Sequence, residues 1–424
     1  MTWALATVAV LLIGWAALSG RLMSRNVSAA MFFTAAGLVV GPASGLLDLS
    51  ISSGQVKLIA EATLTLVLFA DASRISFRAL RSEYTVPLRL LGLGLPLTIA
   101  AGSLVGVAVL PGVSFVEALL LAIMLACTDA ALGQAVVTDR RVPSRVRQGL
   151  NVESGLNDGL CVPLFFIAVA LAEAEGEAVS GQGAVELVLE EIGYGLVGGV
   201  AAGLLGGVAL RLAVRYSTIE EYWGQVLTVA CAAAAAGIAT ALGGSIFIAA
   251  FTAGFVFGVV RRNHGPEVTY LVDEAGEFLN AVTFIIFGAV ILGRTLENAT
   301  WDMVVYALLS LTVVRMLPVW AAMLGTGARL PTIGFLGWFG PRGLASIVFG
   351  VILLDDAQLE NEQTLLSAVV VTVALSVFAH GLTAGPLTRR YVRWYHAHPQ
   401  EAAPRMETVP AAEHRLRTPW TGGR

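Results

Sequence analysis

The stretch Asn151-Val152-Glu153-Ser154-Gly155-Leu156-Asn157-Asp158-Gly159 is the densest polar run inside any apolar segment of this chain. It lies within an otherwise hydrophobic span, 145–172, longer than the ~20 residues that cross a bilayer. Helical spacing sorts its polar groups onto two adjacent faces. Ser154 and Asp158 stand four apart on one, and Glu153 and Asn157 stand four apart on the next. One pair can line a hydrated cavity while the other holds an internal ion pair. Gly155 and Gly159, also four apart, let a second helix come close. In lipid, such a helix belongs at the centre of a bundle, because carboxylates facing hydrocarbon are costly.

The rest of the chain fits that reading. Of 424 residues, 56% are hydrophobic and only 13% charged, about half the charged share of a soluble domain. A soluble protein so apolar would expose large sticky patches, and a disordered one needs the opposite composition. The apolar residues form runs at 2–19, 27–47, 55–72, 85–110, 115–137, 145–172, 186–212, 222–242, 244–261, 267–293, 302–325, 331–354 and 364–388. We number these spans 1 to 13. They predict an all-α polytopic membrane protein with about 13 transmembrane helices in a domain covering 1–390, followed by a short polar, proline-containing tail, 391–424, expected to be disordered. Span 1 has no basic residue before it, so it reads as a retained helix rather than a signal peptide. A net charge of −4 gives no case for nucleic-acid binding. Cys127, Cys161 and Cys231 lie in apolar runs without a ligand or disulfide spacing.

Charge placement orients the spans. Arg21, Arg25, Arg74, Arg78, Arg81, Arg140, Arg141, Arg211, Arg215, Arg261, Arg262, Arg329, Arg389, Arg390 and Arg393 all fall at or after the ends of odd-numbered spans. The opposite connections hold only Lys57 and Arg294 among basic residues, with Glu173, Glu190, Glu191, Glu297, Asp302, Asp355, Asp356 and Glu360 among the acids. By the positive-inside rule the N-terminus lies outside and the C-terminus in the cytoplasm. A wrong span count would scramble this asymmetry. Asp273, Glu274 and Glu277 sit awkwardly at the basic end of span 10, so its first turns are expected at the interface.

With thirteen spans, helices n and n+7 run in opposite directions. Spans 1–6 and 8–13 can then be inverted six-helix repeats. Spans 5 and 12 correspond, and both carry helix-weakening residues: Cys127-Thr128-Asp129 in one and Gly340-Pro341-Arg342-Gly343 in the other. Ionisable residues within spans include Glu61 and Asp71 in span 3, Asp129 in span 5, Glu153 and Asp158 in span 6, Arg315 in span 11 and Arg342 in span 12. Unpaired, these would cost roughly 20 kcal/mol. One such residue is as readily a snorkelling end group or half of a buried salt bridge. Five acids against two arginines cannot all pair internally, and the surplus carboxylates call for an exchangeable cation.

At these residues the chain resembles the monovalent cation–proton antiporter family, in its NhaP-like and sodium/proton exchanger branch. Glu153-Ser154-Gly155-Leu156-Asn157-Asp158 resembles the family's glutamate-serine-x-x-asparagine-aspartate signature, Thr128-Asp129 its unwound helix 5, and Phe339-Gly340-Pro341-Arg342-Gly343 its glycine-rich arginine segment. Weaker echoes are Gly37–Pro42, Ile248–Gly254 and His380-Gly381-Leu382-Thr383. The resemblance implies an NhaA-like antiporter fold with helices 5 and 12 broken. It also implies a cell-membrane homodimer serving pH homeostasis, and no enzyme. Asp158 would carry proton or cation in turn. Ser154 and Asp129 would help ligate the ion, Thr128 through its backbone carbonyl. Asp71 stands where some members have a glutamate that reaches the ion. Glu153 would pair with Arg315, with Asn157 bridging. Arg342 would be a rival partner or a pH-sensitive element. Asparagine before aspartate resembles the electroneutral members.

An ordinary aspartate titrates near 3.9 and stays ionised at cytoplasmic pH. Proton exchange therefore needs a desolvated carboxylate with like charges nearby. Proton and cation (Na+, Li+ or K+) then compete for one site, with no resident cofactor. A cation channel is the alternative, although no repeated carbonyl filter is visible. An intramembrane aspartyl protease would need Asp129 and Asp158 paired, and its glycine-x-glycine-aspartate motif is absent.

Overall fold

The computed structural model describes residues 2–41, 53–75, 83–176, 181–261, 266–356, 359–397 and 405–408. Pro42, the end of span 2, Arg78, Arg81, Arg262 and most of the tail lie outside the described residues. Among the described residues the regular structure is helical, and each expected span contains helix, with spans 5 and 12 interrupted at 125–133 and 339–343. The elements are α1 (Thr2–Ser24), α2 (Ala29–Val40), α3 (Ser53–Arg74), α4 (85–109), α5a (Phe115–Met124), α5b (Gln134–Val137), α6 (Ser144–Gly176), α7 (Gly181–Arg215), α8 (Glu221–Leu242), α9 (Ile246–Arg261), α10 (270–298), α11a (Trp301–Leu311), α11b (Val313–Met323), α12a (Leu330–Trp338), α12b (Leu344–Asp356), α13 (Glu362–Ala397) and α14 (Arg405–Thr408). Eight helices among the described residues are long and apolar enough to cross a membrane by length and composition.

Local sequence explains where helices start and where they loosen. Ser114 and Glu117 form a reciprocal capping box that starts α5a, and Ser28 caps α2 by accepting from Met31 N–H. A π-helical turn, Leu90–Gly94, interrupts α4 just before Pro96, whose missing N–H strands a carbonyl one turn back. At ~1.5 Å per residue, α5a and α12a each reach only about halfway across a ~30 Å hydrocarbon core. Both therefore stop in mid-span, next to α6.

Glycine seams bring the helices close. Gly195, Gly199, Gly203 and Gly207 form a four-residue repeat on α7. A Cβ on Gly199 would fall 2.6 Å from the carbonyl oxygen of Ala249, and one on Gly203 2.6 Å from that of Ala253, so α7 and α9 meet backbone to backbone. On α6, the space above Gly159 is filled by the Phe251 ring of α9, and Gly155 faces Asp71 of α3. The two glycines of the opening stretch thus seat α9 and α3.

The C-terminal end differs from expectation. The expected span 13 is 364–388 with a disordered tail from 391, but α13 runs on to Ala397, and Met406 and Glu407 of α14 are buried. Glu407 accepts hydrogen bonds from Arg329 N–H (3.1 Å) and the Thr332 hydroxyl at the start of α12a, and Tyr395 donates to its carbonyl at 3.2 Å. Polar composition, which set the tail apart, does not reveal that one carboxylate has a helix start to cap.

Candidate functional site

The non-helical stretches 125–133 and 339–343 cross each other and exchange hydrogen bonds. Asp129 N–H donates to the Pro341 carbonyl at 2.8 Å. The Asp129 carboxylate reaches the start of α12b, where Oδ2 accepts from Leu344 N–H at 3.0 Å. Its Oδ1 accepts from Ala131 (2.7 Å) and Leu132 (3.3 Å) within its own turn. In return, the Arg342 guanidinium donates through Nη1 to the carbonyls of Ala126 (3.0 Å) and Cys127 (3.3 Å), just past the end of α5a. Ser346 donates to the Met124 carbonyl at 2.7 Å. A helix start leaves N–H groups unpaired and favours an anion, and a helix end leaves carbonyls unpaired and favours a cation. Each break thus supplies the charge that the other's half-helix lacks.

The glycines of Gly340-Pro341-Arg342-Gly343 make that crossing possible. A Cβ on Gly343 would run into the Asp129 carboxylate, 2.7 Å from its Cγ, and one on Gly340 would lie 2.7 Å from the Arg315 Cζ. Helix α13 braces the second break. Ser376 accepts from Arg342 N–H at 2.7 Å, His380 Nδ1 sits 3.2 Å from the Ser376 hydroxyl, and His380 Nε2 sits 2.9 Å from the Trp338 carbonyl at the end of α12a.

On α6, Glu153 and Arg315 form a bidentate pair at 2.5 and 2.9 Å, with both side chains 3% exposed. The paired arginine is therefore Arg315, and Arg342 serves the α5a carbonyls. Asn157 does not bridge that pair. Its amide donates to the Ala126 carbonyl (2.9 Å) and the Thr128 hydroxyl (3.3 Å), and its oxygen accepts from Cys161 (3.2 Å), which ties α6 to the first break. Ser154 donates to the Asn151 carbonyl at 3.2 Å. Asp158, one turn further along the same face, is buried, and Cys127 lies within electrostatic reach of both Asp158 and Arg342. Asp71 accepts from Arg74 at 2.9 Å, and Arg74 also pairs with Asp273. That second pair gives the acid at the basic end of span 10 its counter-charge.

One cavity brings several of these groups together. Thr128, Asp129, Glu153, Ser154, Phe339 and Pro341 line it, together with Val136, Val137 and Leu150. Among the described residues, no group of three or more His, Cys, Asp or Glu side chains is arranged to hold a metal ion. The sequence alone does not single out Ser346 or Ser376, and it gives Cys161 no role. The four-residue spacing of Ser376 and His380 within an apolar span was a usable signal, of the same kind as Ser154 and Asp158.

A family model described as "Sodium/hydrogen exchanger, transmembrane" matches residues 7–390. Among curated relatives, the chain is 26% identical over 275 residues to "Na(+)/H(+) antiporter 2" of Zygosaccharomyces rouxii, covering 60% of this chain and 33% of that protein. It is 29% identical over 354 residues to "Na(+)/H(+) antiporter NhaP" of Pseudomonas aeruginosa, covering 76% and 78%. The chain spans between one third and about three-fifths of the length of the first yeast relatives that it matches. Among solved structures, the sodium proton antiporter MjNhaP1 of Methanocaldococcus jannaschii at pH 8 superposes with a TM-score of 0.74 at 17% identity, covering 92% of this chain and 99% of the other. That likeness shows the fold.

Proposed function

The chain belongs to the sodium/hydrogen exchanger family, and from that premise we propose that it is a secondary active antiporter exchanging a monovalent cation for protons. It is an all-α, polytopic membrane protein of the NhaP-related fold. The observation that carries the proposal is the gathering of Thr128, Asp129 and Ser154 on one cavity, with buried Asp158 one helical turn beyond Ser154. Asp158 is the carboxylate that takes proton or cation in turn. Ser154, Asp129 and the Thr128 carbonyl supply oxygens to the ion, and Asp71, reached from the other side of Gly155, is the auxiliary carboxylate. Glu153 and Arg315 hold α6 and α11b together while the site changes sides. Na+ is the first candidate cargo, with Li+ and K+ behind it. One cation leaves for one proton, so exchange is electroneutral.

Coupling then needs no further device. Proton and cation cannot both occupy Asp158, and only the loaded, charge-compensated forms change access. The arginines at the ends of odd-numbered spans support a topology with the N-terminus outside and the C-terminus in the cytoplasm. The crossed breaks support two inverted six-helix repeats with broken helices 5 and 12 in a 1–390 transmembrane domain. Family membership supports a homodimer, which cross-linking in native membranes tests. The central experiment is proton movement in everted vesicles on adding Na+, Li+ or K+ separately across pH. Asp158→Asn is expected to abolish the response with the folded protein intact. An undiminished response in that variant sinks the carrier assignment, and no response in the wild type to any of the three ions sinks the exchange reading.

A further inference from the structure

The geometry points to His380 and Ser376 as positioning residues that set Arg342, and through it the carbonyls of the first break. Neither residue reaches the cavity described above, and both are buried in α13. They act from behind. Ser376 Oγ accepts the Arg342 backbone N–H, so its own hydrogen is available to His380 Nδ1, 3.2 Å away. His380 Nδ1 also lies 3.0 Å from the Ser376 carbonyl and Nε2 lies 2.9 Å from the Trp338 carbonyl, so the ring bridges α13 and the end of α12a, and the tautomer with its hydrogen on Nε2 donates to Trp338. The chain of donors therefore joins the last carbonyls of α12a to the residue that opens α12b. Trp338 adds an anchor from its indole N–H to Thr383 at 3.0 Å, and its ring lies 5.0 Å from the His380 ring. One face of α13 thereby fixes both lips of the 339–343 break.

This matters because of where Arg342 points. Its backbone is held by α13, and its guanidinium spans the crossing to Ala126 and Cys127. Those carbonyls precede Thr128 and Asp129, which line the cavity. Asn157 plays the corresponding part for the first break, from the helix that follows it in the chain. Each break is therefore braced by the next helix along. Loosening the α13 brace should be felt at 126–132, on another element, and not only at 339–344.

The test is hydrogen–deuterium exchange on the detergent-purified full chain, comparing wild type with Ser376→Ala, His380→Leu and His380→Gln. The loss of one buried hydrogen bond corresponds to about five- to tenfold faster exchange. We expect that increase at both 339–344 and 126–132 in Ser376→Ala and in His380→Leu. His380→Gln, which keeps an N–H for Trp338, should return both segments toward wild type. A rise confined to 339–344, no rise at either segment, or a general rise that includes the α7–α9 seam overturns the assignment. Ser376→Ala removes one oxygen and keeps the measurement possible if His380→Leu does not fold. A second readout rests on the exchange activity proposed above: the half-saturating cation concentration in vesicles should rise at least about threefold in Ser376→Ala, with protein amount unchanged. An inactive wild type would count against the proposed exchange alone, since the deuterium pattern still decides the positioning role.

Discussion

Removing Arg315 alone should be far more damaging than removing the whole ion pair to which it belongs. Arg315 and Glu153 are each 3% exposed and joined by two hydrogen bonds of 2.5 and 2.9 Å. Two unit charges ~4 Å apart attract by about 4 kcal/mol at an effective dielectric of 20, and this attraction is set against the several kcal/mol needed to dehydrate each ion. Arg315→Met therefore strands a buried carboxylate, at a cost of about 3–5 kcal/mol. Glu153→Leu strands a guanidinium for a similar cost. The double variant strands neither, and a well-packed apolar replacement of a buried pair is often near neutral. The assay is thermal unfolding in detergent across the four-member cycle. Medium-sized domains shift by about 2–4 °C per kcal/mol and larger chains by less, so each single variant should melt roughly 5–10 °C lower and the double within a few degrees of wild type. Additive losses, or an Arg315→Met protein that melts with the wild type, would refute the view that this pair is closed on itself and show that another cation, such as Arg342, serves Glu153.

Gly343→Ala places a methyl group against the Asp129 carboxylate that caps α12b. It should cost about 1–2 kcal/mol as a lost cap and depress transport more than Gly334→Ala, a helical position with open space; equal effects of the two in parallel melting and vesicle assays would contradict this. Glu407→Ala leaves Arg329 N–H and the Thr332 hydroxyl without their carboxylate. A loss of about 1–3 kcal/mol is expected, together with faster proteolysis near residue 405, and unchanged melting and cleavage would show that α14 is not docked. In the connection before α6, the Arg141 guanidinium hydrogen-bonded to Asp139 holds that carboxyl below the usual carboxylate range. A depressed folded-state value stabilises above the unfolded value of ~3.9 and is lost as pH falls through the folded one. The small gap in melting temperature between wild type and Asp139→Asn should therefore be present at pH 7 and shrink as pH falls below ~3.9, whereas a gap independent of pH would refute the pairing.

Much of this architecture can be read from the sequence because lipid leaves few options. Helix positions follow from apolar runs, and the weak points of spans 5 and 12 follow from Thr128-Asp129 and Gly340-Pro341-Arg342-Gly343. The faces of α6 follow from four-residue spacing, which separates Glu153 and Asn157 from Ser154 and Asp158. Spacing on one helix does not say which other helix stands opposite. The choice between Arg315 and Arg342 for Glu153, and the engagement of Asn157 with Ala126 rather than with the ion pair, are settled by contacts more than 25 residues apart in sequence. The docking of Glu407 is not legible in the sequence for a related reason. Its partner is the start of α12a, whose N-cap Arg329 has no capping side chain of its own, and the sequence does not say which distant carboxylate takes that place.

The exchange of caps between the two breaks has a consequence for how the protein is made. Asp129 and Leu344 are 215 positions apart. At ~5–20 residues per second of synthesis, the N-terminal half waits roughly 10–40 s for its partner segment to emerge. Throughout that interval α5a has no arginine at its end and Asp129 has no helix start to serve. The nascent first half thus enters the bilayer with a water-seeking flaw at its centre, and a chain interrupted before Pro341 keeps that flaw however apolar its spans are. Closure of the first break therefore waits for span 12, which alone brings the Arg342 guanidinium to Ala126 and Cys127.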